Sequence, residues 1–116
     1  MAMNYCDADA LATVFHALSE PTRLTILRHL SRGEHRVCDL VKHLDLAQST
    51  VSKHLLCLQN CGLVECRAEG RASWFSLVNC EKLGAVIRAA MEMLKESDRV
   101  LSFRAHQRKD EEGKLS

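Results

Sequence analysis

The sequence predicts a mainly α-helical domain carrying one small β-hairpin, and three observations lead there. Apolar residues recur at helical spacing in five separate stretches. Two strand-like runs flank a Gly-containing turn at Glu69, Gly70 and Arg71. The 116 residues contain a single Pro, so little interrupts the helices.

Leu11, Val14, Phe15 and Leu18 fall at i, i+3, i+4 and i+7, which places a first helix over Ala8 to Leu18 with Asp7 or Asp9 as its N-cap. Ser19, Glu20 and Pro21 restart the chain for a second helix through Leu24, Leu27 and Leu30, stopped by Gly33. A short third helix covers Val37 to Leu44. A tight connection through Asp45 and Leu46 leads to a fourth from Ala47 to Cys61, with Gly62 placed to end it in the left-handed conformation. Leu63 to Ala68 and Ala72 to Val78 read as a two-stranded hairpin, where Gly70 supplies the positive φ of the turn. Asn79 can cap a last helix in which Leu83, Val86, Ile87, Ala90, Met91 and Leu94 form one apolar stripe in need of another surface. One domain over residues 1–103 and a disordered charged tail over 104–116 complete the expectation.

Composition excludes several classes. The chain is 47% apolar and 27% charged, ordinary for a globular protein, and no apolar run reaches bilayer-spanning length, which predicts a soluble chain with no membrane partner. Met1 to Ala10 lacks the basic-then-apolar pattern of a secretory signal, so a cytoplasmic location is expected. Six cysteines in so helical a chain read as free thiols, not as a disulfide scaffold. Net charge is only +1, but Pro21 to Val78 holds eight basic residues against five acidic ones, a mild lean toward polyanions.

Two short helices joined by a tight turn and followed by a hairpin make a winged helix-turn-helix, whose second helix enters the major groove of double-stranded DNA. At about 100° per residue, Val51, Leu55 and Leu58 share the core side of the fourth helix. Ser49, Ser52, Lys53 and Asn60 lie well away from it and form the reading surface, bordered by Gln48, Thr50 and His54. Arg67 and Arg71 flank the hairpin turn, where guanidinium groups clamp phosphates or enter a narrow minor groove.

With those segments in view, ALSEPTRLTIL, VCDLVKHL, LAQSTVSKHLLCLQNCGLV and EGRASWFSL, in order over about residues 10 to 95, resemble the ArsR/SmtB family of metal-sensing repressors. The resemblance implies a homodimer packed through the first and last helices, operator binding without metal, and release of DNA when metal binds. Within the family, LLCLQNCGL is similar to the cadmium- and lead-responsive, CmtR-like branch.

Cys57 and Cys61 lie four apart, so their sulfurs stack one turn apart on one helix face, close enough to hold one ion. Thiolates favour soft ions, which points to Cd(II) or Pb(II) as effector, with As(III) also suited to three thiolates and Zn(II) less favoured. The CmtR-like branch takes a third thiolate from the tail of the other subunit, yet no cysteine follows Cys80. Cys6 is the candidate replacement, with His106 behind it. Cys38 stands where a Cys-Val-Cys site would need two thiols and reads as structural, Cys66 and Cys80 read as packing residues, and the last helix lacks the His residues of a zinc or nickel site. A thiol-redox switch at Cys57 and Cys61 is the rival mechanism. No Cys-x-x-Cys, phosphate loop or nucleophile–base set suggests an enzyme.

Overall fold

Helix formation follows the apolar spacing, and in the computed structural model, which describes residues 5–96 and the side chains of 7–95, the elements appear in the expected order. They are α1 (Tyr5–Leu18), α2 (Pro21–Leu30), β1 (His35–Arg36), α3 (Val37–Leu44), α4 (Gln48–Asn60), β2 (Val64–Glu69), β3 (Ala72–Leu77) and α5 (Cys80–Glu96). Two compact units divide after Cys80: α1 through the sheet make the first, and α5 carries the second.

Three local readings change. α1 begins three residues before Ala8, so Asp7 lies in its first turn, where a carboxylate favours the N-terminal dipole. Glu20, and not Ser19, caps α2: its Oε2 accepts the Arg23 N–H at 2.9 Å, with Pro21 opening the helix. The two-stranded hairpin forms as expected, but a third strand joins its sheet. His35–Arg36 pairs antiparallel with Phe75 and Trp74 of β3, giving a sheet of order β1-β3-β2. A two-residue strand has no periodicity to read, and only its tertiary partner makes it one.

The core of the first unit gathers Ala17 of α1, Ile26, Leu27 and Leu30 of α2, Leu40 of α3, Val51, Leu55 and Leu58 of α4, and Val64 of β2, all buried. The three α4 residues are those expected to face inward. The outer stripe of α1 is left open, with Leu11 41% and Phe15 53% exposed, and Leu24 of α2 and Leu56 of α4 are exposed as well. In the second unit Val86, Met91 and Met93 of α5 are exposed.

Turn chemistry fixes the helix-turn-helix and the wing. Asp45 ends α3 in the left-handed region at φ 53°, a conformation Asp tolerates, and its N–H donates to the Val41 carbonyl. Gly62 follows α4 at φ 77° and Gly70 opens the two-residue β2–β3 loop at φ 61°, both where a side chain would be strained. Among the described residues no helix is long and apolar enough to cross a membrane.

At the start of α3, the Asp39 carboxylate accepts from the Arg36 N–H at 2.9 Å and from its guanidinium at 3.1 and 3.2 Å. The bonds from Arg36 hold the Asp39 carboxyl down at about 2, against an ordinary 3.8. Because the folded value is depressed, Asp39 stabilises the fold above pH 3.8, and that contribution disappears as pH falls from there toward 2. An acid titration of thermal stability should therefore show Asp39→Asn losing less than the native chain across that window. Equal losses would rule out this cap as an acid-sensitive element.

Candidate nucleic-acid interface and thiol pair

The faces of α4 follow from its three core anchors. With Val51, Leu55 and Leu58 turned inward, Gln48, Ser49, Ser52, Lys53 and Asn60 are exposed, and Thr50 is half-buried. Ala47 caps α4 without a side-chain hydrogen bond, so its first turn keeps backbone N–H groups available to an anion. Short polar side chains, one ammonium and an uncapped helix start together make a surface able to contact phosphates and base edges.

His54 sits differently from its neighbours. Its side chain is 19% exposed and Nδ1 lies 3.8 Å from Glu20 Oε2, so it faces the N-terminus of α2. Partial burial pushes the Glu20 carboxyl up, but the Arg23 N–H, His54 and the bonds from Thr22 outweigh it and leave the group below its ordinary value. His54 thus joins the reading helix to α2 through a residue that also caps α2.

In the wing, Arg67 and Arg71 are both exposed but not equivalent. Arg67 donates to Glu69 at 2.8 Å and to Glu34 at 3.2 Å, and these bonds, Glu69 first, raise its pKa further. Arg71 lines an open cleft between the β2–β3 loop and the start of α3, together with Arg36 and Cys38. Arg36, absent from the residues picked from sequence, lies with its guanidinium 5.1 Å from the Trp74 ring centre, a cation–π contact. Only the β1–β3 register, which pairs Arg36 with Trp74, brings it there.

The structure brings Cys57 and Cys61 together at the C-terminal end of α4, both half-buried. Cys61 is the C-cap residue, its N–H donating to the Cys57 carbonyl at 3.1 Å, and its Sγ rests 3.9 Å from the Thr13 carbonyl of α1. Burial pushes the Cys61 thiol up, and the neighbouring Cys57 thiol adds to this by charge and hydrogen bond, while Arg23 works the other way. That guanidinium closes the end of α1, donating to Ala17 O at 2.6 Å and His16 O at 3.0 Å. Two adjacent thiols suit a soft ion, which would relieve their mutual repulsion as thiolates. As placed, no three candidate donors are grouped around one point among the described residues.

The side chain of Cys6 and all of His106 lie outside the described residues, as does the 104–116 tail. Cys38, Cys66 and Cys80, expected as structural or packing residues, are exposed, so burial is not their role.

Comparison with known proteins agrees with this architecture. Residues 20–65 match the family described as bacterial regulatory protein, arsR family. The regulator CmtR of Mycobacterium bovis is 39% identical over 85 residues, covering 71% of this chain and 72% of that protein. A probable mercury resistance operon repressor of Streptomyces lividans is 41% identical over 69 residues, covering 60% of this chain; the match spans 55% of that repressor's length. Among solved structures, a homodimeric winged helix-turn-helix DNA-binding domain from Mycobacterium bovis superposes with a TM-score of 0.69 at 28% identity, covering 79% of this chain and 91% of that one. The chain belongs to the ArsR/SmtB family: it is a winged helix-turn-helix transcriptional regulator, not an enzyme.

Proposed function

We propose that this protein is a cytoplasmic metal-responsive repressor. It binds operator DNA as a homodimer and lets go when Cys57 and Cys61 capture a soft thiophilic ion, Cd(II) or Pb(II) ahead of As(III), with Zn(II) the poorest fit. The observation that carries this reading is the placement of two adjacent thiols on the last turn of α4, the helix whose other end offers the reading surface. Relatives described as CmtR and as mercury and arsenical resistance operon repressors support a metal effector of this kind.

Gln48, Ser49, Thr50, Ser52 and Lys53 contact bases and phosphates, His54 positions α4 through Glu20, and Arg67 and Arg71 hold the flanking phosphates. Exposed Leu11 and Phe15 of α1 and Val86 and Met91 of α5 supply the apolar surface for a second copy. The Cys57 and Cys61 thiolates would hold the ion, whose binding would supply the free energy to keep them deprotonated and drawn together. Cys61 would then alter its seat against the Thr13 carbonyl, and α4 would shift with it. Cys6 supplies a third thiolate in this reading.

Anisotropy of a labelled operator duplex, selected from a random-sequence pool, tests the proposal: Cd(II) should release DNA from a saturated complex and a chelator should restore it. Retention of DNA at saturating Cd(II) and Pb(II) would overturn it. Because the two thiols are neighbours on α4, oxidation to a disulfide is the second reading, awkward because helical Cα atoms four apart lie about 6 Å from each other. Release by peroxide with indifference to metal would select it.

The contacts make a separate prediction. Lys53→Ala and Arg71→Ala should each weaken operator and non-specific duplex alike and lower the salt slope of binding by about one. A slope that stays unchanged in both variants would remove these residues from the interface.

A further inference from the structure

Away from the thiol pair and the reading surface, three imidazoles stand together on the first unit. His29 near the end of α2, His35 in β1 and His43 near the end of α3 have ring centroids 5.2 Å apart for His29 and His43, 5.7 Å for His35 and His43, and 6.2 Å for His29 and His35. His43 is exposed and the other two are half-buried. Their positions share no helical or strand spacing, and the α2–β1–α3 packing alone assembles them.

One of the three has a backbone acceptor that sets its tautomer as metal-binding histidines often do. His35 Nδ1 lies 2.8 Å from the Gly33 carbonyl, which can only accept, so Nδ1 carries the proton and Nε2 keeps a free lone pair. The spacing is also of the right size. Imidazoles bound at about 2.0–2.1 Å to one tetrahedral ion have ring centres about 3.2 Å from it, and hence about 5 Å from one another. The observed separations exceed this by roughly 1 Å at most. As the rings stand, His29 and His43 stack at 15°, and the donors do not enclose a point. His43 is exposed, so a change of its side-chain rotamer would open that stack.

We propose that His29, His35 and His43 form a second metal site, distinct in chemistry from the thiol pair, that takes a borderline divalent ion such as Zn(II) on three imidazole nitrogens and water. Arg28 and Arg32, both close enough to act electrostatically on His29, oppose a dication and keep the site weaker than a closed structural one. An ion there ties α2, β1 and α3 together, and so braces the helix that supports α4.

The test uses the full chain carrying Cys57→Ser and Cys61→Ser, which removes the thiol pair. Competition with a chromophoric chelator should show one Zn(II) per chain, and Co(II) in its place should give ligand-field bands without sulfur-to-metal charge transfer. Adding His43→Gln should weaken Zn(II) at least about tenfold, while His16→Gln should leave it unchanged. In the same chain lacking the thiol pair, Zn(II) should shift the ring NMR signals of His29, His35 and His43 and spare those of His16 and His54. No binding, binding indifferent to His43→Gln, a thiolate band, or ring shifts elsewhere would each overturn the proposal.

Discussion

Cys57→Ser together with Cys61→Ser should leave operator affinity in the absence of metal close to that of the native protein and abolish release by Cd(II). The two sulfurs sit on the inward side of the last turn of α4, with Cys61 against a carbonyl of α1, and neither belongs to the exposed set headed by Ser49 and Lys53. Ser keeps a polar atom of similar shape at each position, so the native packing has no reason to collapse. In the native chain, saturating Cd(II) should weaken operator binding by about 5- to 150-fold, the ordinary range of coupling between two sites. Operator must weaken Cd(II) binding by the same factor, which isothermal titration of the complex against the free protein reads directly. Release that persists in the double variant would place the sensing site elsewhere, and unequal factors in the two directions would show that metal and DNA are not linked through one equilibrium.

Leu55→Ala should be strongly destabilising. Leu55 is 1% exposed and anchors the middle of α4 between the flanking anchors Val51 and Leu58. Truncating such a leucine costs about 2–5 kcal/mol through lost transfer energy and the cavity left behind. Small domains have only about 5–15 kcal/mol in hand, so Tm should fall by about 8 °C or more, at about 4–8 °C per kcal/mol. Leu56→Ala is the matched control: its side chain is 56% exposed, and removing it should change the stability of the isolated chain by no more than about 0.5 kcal/mol. Similar Tm losses for the two would contradict the assignment of α4's inner face.

What the sequence made legible was whatever depends on local spacing. The third helix was bounded correctly at both ends because Leu40, Val41 and Leu44 mark its apolar face and Asp45 its stop, and the inner face of α4 followed from a three- and four-residue rhythm. The thiol pair was readable for the same reason, being one helical turn apart. What stayed hidden depends on residues distant along the chain. β1 exists only through its pairing with Phe75 and Trp74. Arg67 is held by Glu34 from across the first unit, so the wing's two arginines, alike in sequence, differ in what they must give up to meet a phosphate. His54 looked like a border contact until Glu20 appeared beside it, and the three-imidazole cluster had no sequence signature at all.

Cys61 rests on α1, and α1 also carries the open apolar face of Leu11 and Phe15. In the proposed homodimer this would make α1 a fulcrum, with the thiols on the short arm and the reading head on the long one. A tilt of about 5° about the dyad, carried over half of the roughly 34 Å between half-sites, moves each head by about 1.5 Å. Hydrogen bonds of about 2.9 Å do not survive such a displacement. Under the proposed mechanism, small angular adjustments at the thiols would therefore be sufficient to take both heads out of step with the groove, without unfolding either one.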